Sequence, residues 1–222
     1  MDGNMKAVIM KRLEKTAENL RKNNFEAYVV NTSAEAVEIV KGLLNDGDTI
    51  TSGGSMSLEE SGVMELMRSG KYNFLDRSKA ENREETEEIY RQAYRCDAYL
   101  CSSNAVTENG ELYNVDGNSN RVSAICYGPK SVIMVCGCNK VVRNLDEAVV
   151  HVKTASAPAN CLRLGCETYC AEKGSCVSLE KGGDMPSGCR SDGRVCCNYV
   201  VSAWQRHKGR IKVILVAEEL GY

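Results

Sequence analysis

The chain has 222 residues, of which 43% are hydrophobic and 26% charged, with 28 Lys and Arg against 30 Asp and Glu for a net charge of −2. That length buries a substantial core as one large domain or two small ones, and the composition excludes collagen-like, coiled-coil and disordered chains. A pI near 5.9 gives no electrostatic pull toward nucleic acid or an anionic membrane.

Met1-Asp2-Gly3-Asn4-Met5-Lys6 carries acid and amide where a secretory leader needs a basic start, so the expected location is the cytoplasm. From Lys6 to about Lys22, Val8, Ile9, Leu13, Ala17 and Leu20 recur at helical spacing and predict an amphipathic helix. Ala27 to Val30 reads as a strand, Ser33 as the N-cap of a helix from Ala34 to Leu44, and Thr49 to Thr51 as the next strand. The turn Gly53-Gly54-Ser55 leads into a helix running to about Arg68, for which Ser57 and Glu60 have capping-box spacing. A strand at Tyr72 to Leu75, a polar helix from about Asn82 to Tyr94 and a buried strand at Ala98 to Cys101 continue the rhythm. Alternating strands and helices predict an α/β, Rossmann-like fold with a mostly parallel sheet.

Between Ser102 and Arg121 the pattern breaks into Asn, Thr, Glu and Gly. Val122 to Tyr127 and Ser131 to Val135 then read as strands, Leu145 to about Thr154 as a helix, and Ile211 to Val216 as a final strand. The longest apolar run, Ser131 to Cys138, falls well short of the roughly 18 residues that cross a bilayer. Cys161 to Cys197 holds seven of the twelve cysteines on a weak apolar pattern. The chain 1–222 is thus expected to be a single domain whose 157–199 segment is a cysteine-rich metal-binding lobe.

Twelve thiols in a reducing compartment are not a disulfide framework. Cys161, Cys166, Cys170, Cys176, Cys189, Cys196 and Cys197 contain no CxxC pair, and neither His151 nor His207 lies among them, so common structural zinc signatures are absent. Thiolates converging from loops still suit a cubane iron–sulfur (4Fe-4S) cluster or, alternatively, a Cys₄ zinc site; the competing reading is that they are inert, buried small hydrophobes. Cys96, Cys101, Cys126, Cys136 and Cys138 lie in or beside apolar strands and read as core.

Gly53, Gly54 and Ser55, between a strand and a capped helix, offer backbone N–H groups to a phosphate or carboxylate, although a plain tight turn explains them equally. The turn is neither a P-loop nor a GxGxxG dinucleotide fingerprint. Asn104, Thr107, Glu108, Asp116, Asn118, Asn120 and Arg121 crowd hydrogen-bonding side chains into two polar turns, with Arg121 suited to clamp a carboxylate. Hairpin chemistry at Asn109-Gly110 and Asp116-Gly117 is the competing explanation. Calcium is not expected, since Arg121 stands where an EF-hand loop needs glycine.

Thr51 to Gly62, Ser102 to Arg121, Tyr127-Gly128-Pro129-Lys130, Gly137 to Val142 and Ala157-Pro158-Ala159-Asn160 together resemble the LUD-domain family of lactate-utilisation proteins. The resemblance spans nearly the whole chain and implies the fold type of glucosamine-phosphate isomerases, ribose-phosphate isomerases and CoA transferases. It also implies a place in L-lactate (2-hydroxy acid) oxidation or utilisation, usually beside iron–sulfur partner proteins. The cysteine segment is similar to that of the family's single-domain branch from anaerobes, which implies Cys170, Cys176, Cys189 and Cys196 as metal ligands. Here the long insert Val177 to Gly188 and the extra Cys161, Cys166 and Cys197 depart from the pattern. Thr107-Glu108-Asn109-Gly110 is similar to the Ser-Glu-Asn-Gly of CoA transferases, which implies Glu108 as a catalytic carboxylate nucleophile. The expected partners are a small carboxylate- or phosphate-bearing ligand and, by default, a second copy of the chain. A non-catalytic scaffold whose metal only staples the lobe is the alternative to an enzyme.

Overall fold

The computed structural model describes residues 2–222. Its strands are β1 (Glu26–Val30), β2 (Thr49–Ser52), β3 (Asn73–Leu75), β4 (Ala98–Cys101), β5 (Ala105–Thr107), β6 (Leu112–Asp116), β7 (Ser131–Gly137), β8 (Val141–Val142), β9 (Asn198–Ser202) and β10 (Ile211–Val216). Its α-helices are α1 (Gly3–Lys22), α2 (Ser33–Leu43), α3 (Met56–Glu60), α4 (Val63–Met67), α5 (Arg83–Gln92), α6 (Asn120–Tyr127), α7 (Leu145–His151), α8 (Ala157–Arg163), α9 (Tyr169–Lys173) and α10 (Val177–Glu180).

Six strands form one sheet in the order β1-β10-β7-β4-β2-β3, every pairing parallel. A parallel sheet is covered on both faces, which explains the nearly unbroken apolar runs of β7 and β10. Ile50, Leu100, Ile133, Val135 and Ile214 pack with α2, α3 and α4. Their alternates Tyr99, Cys101, Val132, Met134 and Val213 pack with α1 and α6 on the opposite face. The fold is therefore α/β with a six-stranded parallel sheet, as the strand–helix rhythm predicts. The polar stretch after Cys101 builds a second sheet, β8-β5-β6-β9, in which β6 pairs antiparallel with β5 and β9. Its own core joins Ala105, Tyr113, Val115 and Val142 to Ala148 and Val152.

After β2 the chain passes to α3 on one face, whereas after the neighbouring β4 it passes through β5 and β6 to α6 on the other. Such a divergence opens a crevice beyond the carboxyl ends of the two strands, the usual ligand position in open α/β sheets.

Several local expectations are corrected. Val122 to Tyr127 is not a strand but the body of α6. The Asp116 carboxylate accepts the backbone N–H groups of Arg121 and Val122 at 2.9 and 3.1 Å, which fixes the first turn helically against the β-branched pattern. The helix expected to run unbroken to Arg68 is split into α3 and α4 by Gly62 at φ 80°. Its cap is Ser55, whose hydroxyl accepts from Leu58 N, while Ser57 is buried and donates to the Leu220 carbonyl at 3.0 Å. Thr32 rather than Ser33 caps α2. Beyond His151, α7 continues through a π-helical turn, Val152–Ser156, into α8. Cys126 is exposed, not core. Among the described residues no helix is long and apolar enough to cross a membrane.

Candidate functional site

A cleft of about 500 Å³ opens at the crevice beyond β2 and β4. Five cationic side chains line it, Arg77, Arg121, Lys140, Arg163 and Arg194, against the two acids Asp116 and Asp192. The Gly54 turn lies among them, for a Cβ there would come within 2.5 Å of Arg77 Nη2 and 3.5 Å of Arg163 Nη2. A Cβ on Gly53 would meet the Tyr99 hydroxyl at 2.8 Å and Arg121 Cδ at 3.4 Å. Glycine here lets guanidinium groups approach the backbone, so the turn is shaped by the cations as well as by its cap.

The partners of these cations are neutral. Arg121 Nη1 donates to the Ser102 carbonyl (3.2 Å) and Asn114 Oδ1 (2.6 Å), and Nη2 donates to Asn104 Oδ1 (2.6 Å) and the Val115 carbonyl (2.7 Å). Arg77 donates to the Tyr90 hydroxyl at 2.8 Å, and Arg163 donates to Asn160 Oδ1 at 2.7 Å. Lys140, 3% exposed, donates to Ser57 Oγ at 2.8 Å and Ser102 Oγ at 3.1 Å. Among the described residues none of these four is ion-paired with a carboxylate. Burial pulls the Lys140 ammonium down to about 8, with Arg121 adding to the fall and the neighbouring Cys136 thiol opposing it. Two hydroxyls in the cleft wall, Ser156 Oγ and Tyr222 OH, are buried without a hydrogen-bond partner. Cations without ion pairs beside unpartnered hydroxyls give the cleft wall donors that can face an anionic group.

Of the residues singled out in the sequence, Gly54, Ser55, Asn104, Asp116, Asn118, Asn120 and Arg121 line this cleft, and Gly53 backs it. Asn104 and Asp116 act chiefly on other protein groups, Asn104 by accepting from Arg121 and from Val115 N. Thr107 and Glu108 lie elsewhere. Thr107 is fully buried and its hydroxyl bonds with Glu111 across the β5–β6 turn. Glu108 faces α1, accepting from Arg12 Nε at 2.7 Å and Lys15 Nζ at 3.4 Å, so it is not among the residues of the cleft. Arg77, Lys140 and Arg163 escaped the sequence reading, because lone cations in unrelated segments carry no pattern until the fold gathers them.

The cysteine lobe holds a second, small cavity of about 20 Å³ bounded by Cys170, Cys176, Cys189 and Cys196, with Lys153, Tyr169 and Tyr199. The fold therefore brings the four implied ligands to one place. Arg194 Nε donates to Cys196 Sγ at 3.3 Å, and buried Lys153 is satisfied by Ser178 Oγ at 2.8 Å and the Asp184 carbonyl at 2.9 Å. Two cations beside four thiols suit thiolate ligation. The volume is that of about one water, room for a single ion rather than a cubane. Among the described residues no three His, Cys, Asp or Glu side chains stand in a ligating arrangement. Burial raises Cys170 to about 11 and also raises Cys161, whose sulfur is 3.8 Å from that of Cys170. Val152 and Ala157 border both cavities, so the lobe shares a wall with the cleft.

The family described as "LUD domain" matches residues 13–216. A DUF162 family protein from Deinococcus radiodurans, 16% identical, superposes with a TM-score of 0.51 over 96% of this chain and 98% of its own. At that identity the likeness speaks for the fold alone. The delta subunit of eIF2B from Chaetomium thermophilum, 19% identical, matches 53% of this chain and 50% of its own at a TM-score of 0.36. No curated protein matches the chain.

Proposed function

Since this chain belongs to the LUD domain family, we propose that it binds a small carboxylate- or phosphate-bearing metabolite in the cleft beyond β2 and β4, in organic-acid metabolism linked to L-lactate or another 2-hydroxy acid. The observation that carries this reading is the gathering of Arg77, Arg121, Arg163 and Lys140 around one cleft, Arg77 and Arg163 closing on the Gly54 turn, with none of the four ion-paired among the described residues. Guanidinium groups fork onto carboxylate and phosphate oxygens. Ser55, whose hydroxyl caps α3, and the orphaned Ser156 and Tyr222 hydroxyls supply neutral donors around the anion. Arg121, already tied to four oxygens, holds the β6–α6 loop in place and presents a fixed positive charge.

Cys170, Cys176, Cys189 and Cys196 border a space that suits a single ion such as zinc better than the iron–sulfur cluster the resemblance implies, and Arg194 and Lys153 would offset the thiolate charge of such a site. Glu108 has no part in this scheme, because Arg12 and Lys15 hold it on the far side of the β5–β6 turn.

The test is calorimetric titration with L-lactate, pyruvate and inorganic phosphate. Arg77→Gln and Arg163→Gln each remove a cation that is bound to a single neutral side chain, so the fold is expected to survive. Affinity for the anion that binds should fall about 10- to 100-fold, the worth of one charge-assisted hydrogen bond. Unchanged affinity in both variants would remove the reading.

A further inference from the structure

Arg77, Arg121 and Arg163 suffice to hold an anionic group, because a guanidinium stays charged at every working pH. Lys140 differs in kind. It stands in the cleft wall at the end of β7, almost wholly buried, with its Nζ within hydrogen-bond distance of the Ser57 and Ser102 hydroxyls. A salt bridge would lock such an amine in its charged form, and among the described residues it has none. A primary amine desolvated beside another cation can give up its proton and become a nucleophile, which a guanidinium cannot do.

We propose that Lys140 Nζ forms an imine with the carbonyl group of a small ligand whose carboxylate or phosphate is held by the arginines of the cleft. This rests on the anion-binding reading given above. The unprotonated nitrogen's lone pair forms the C–N bond at the carbonyl carbon, and the C=O π pair moves onto oxygen. That oxygen gains a proton and the nitrogen loses one, giving a carbinolamine. A second proton, taken from solvent onto the oxygen, lets the C–O bond break, water leaves, and the nitrogen lone pair closes the C=N bond as a protonated imine, whose proton can return to solvent. The exchange consumes and produces no electrons, so no oxidant or reductant is required. The two serine hydroxyls accept from Nζ and are placed to carry the proton between nitrogen and oxygen, Ser57 being fixed by its bond to the Leu220 carbonyl. Because burial brings the amine to about 8, a usable neutral fraction exists near physiological pH. The arginines would supply orientation, holding the anionic end while the carbonyl meets the amine.

The experiment uses the full chain and two carbonyl probes, pyridoxal phosphate for the phosphate arm and pyruvate for the carboxylate arm. Each is added with sodium borohydride, which reduces an imine to a stable secondary amine, and the modified lysine is located by peptide mass mapping. The expected result is a reduced adduct on Lys140 with at least one probe, out of proportion to the exposed lysines, and its disappearance in Lys140→Arg. Mapping on the unaltered chain keeps the proposal testable even if that variant fails to fold. An adduct confined to exposed lysines, or probe binding without any adduct on Lys140, would overturn the imine and leave the anion-binding reading standing. An adduct on Lys140 of undiminished yield in Arg77→Gln and Arg163→Gln would overturn the anion-binding reading and, with it, the arginine-held ligand of this proposal, leaving only a reactive amine. Failure of both probes to bind or react would remove both.

Discussion

Lys140 gives up most of its hydration on folding and gains two hydroxyls in exchange, a poor trade for a charge. Its proton is therefore held less tightly in the folded chain, near 8, than at the ordinary value of 10.5. Between those values the unfolded chain binds more protons than the folded one, so stability must rise with pH across the interval, and the penalty is fully present below about 8. Burial is the main cause. Arg121 adds to it, while Cys136, Glu60 and Cys101 act against it. We expect unaltered protein to gain about 3 kcal/mol of stability relative to Lys140→Met between pH 7 and pH 10.5, at 1.36 kcal/mol per pKa unit. Parallel denaturant midpoints across that range would show that Lys140 keeps its proton when folded.

At the scale of elements, α6 illustrates how a local pattern yields to a cap. Asp116, the last residue of β6, accepts from the backbone N–H groups of Asn118, Arg121 and Val122. Ser119 adopts a left-handed φ of 63° inside that turn, a conformation a strand would not require. The helix that results carries Arg121 back over the Gly53 turn and seats Ala124 and Ile125 in the core against Tyr99 and Met134. Asp116→Ala should lower stability by about 1–2 kcal/mol, the worth of a helix N-cap, measurable as a reduced urea midpoint. It should also weaken anion binding, since Arg121 loses its anchorage. A stable variant with intact binding would mean that the β6–α6 turn is held by its other bonds. Likewise, α3 and α4 are one run of helical periodicity divided at Gly62, and the first turn of α3 sets Ser57 to accept from Lys140 Nζ.

At the scale of the molecule, two cavities meet along one wall, the cationic cleft and the thiol-lined space of the lobe, with Val152 and Ala157 between them. The π-helical turn at Val152–Ser156 places both Lys153 and Ser156 there, one buried on the thiol side and one on the cleft side, in keeping with the frequent occurrence of π-turns at functional positions. Anaerobic purification with iron, sulfide and zinc quantitation tests the lobe. Iron and sulfide in equal amounts, lost in Cys176→Ala, would establish the cluster; one zinc per chain would establish a structural ion. Because metal binding to such a lobe is coupled to its folding, chelation of either should also lower the thermal midpoint. A metal-free chain with an unchanged midpoint would make these cysteines plain hydrophobic packing.

Period-2 and period-3.6 patterning sufficed for the α/β class, for β4 and β10 to the residue, and for most helices within a few positions, because burial of an apolar face is a local property of spacing. The Gly54 turn and the Asn104–Arg121 loops were likewise legible, as dense polar chemistry at the ends of strands. Tertiary structure alone decided the rest. Only packing shows that Arg77, Lys140 and Arg163, from three distant segments, border one cleft, that Glu108 faces α1 and not the cleft, and that four widely spaced cysteines border one cavity. The physical reason is that a side chain's charge and pKa depend on what desolvates and faces it, and those neighbours are chosen by the order of strands in the sheet, which no local spacing encodes.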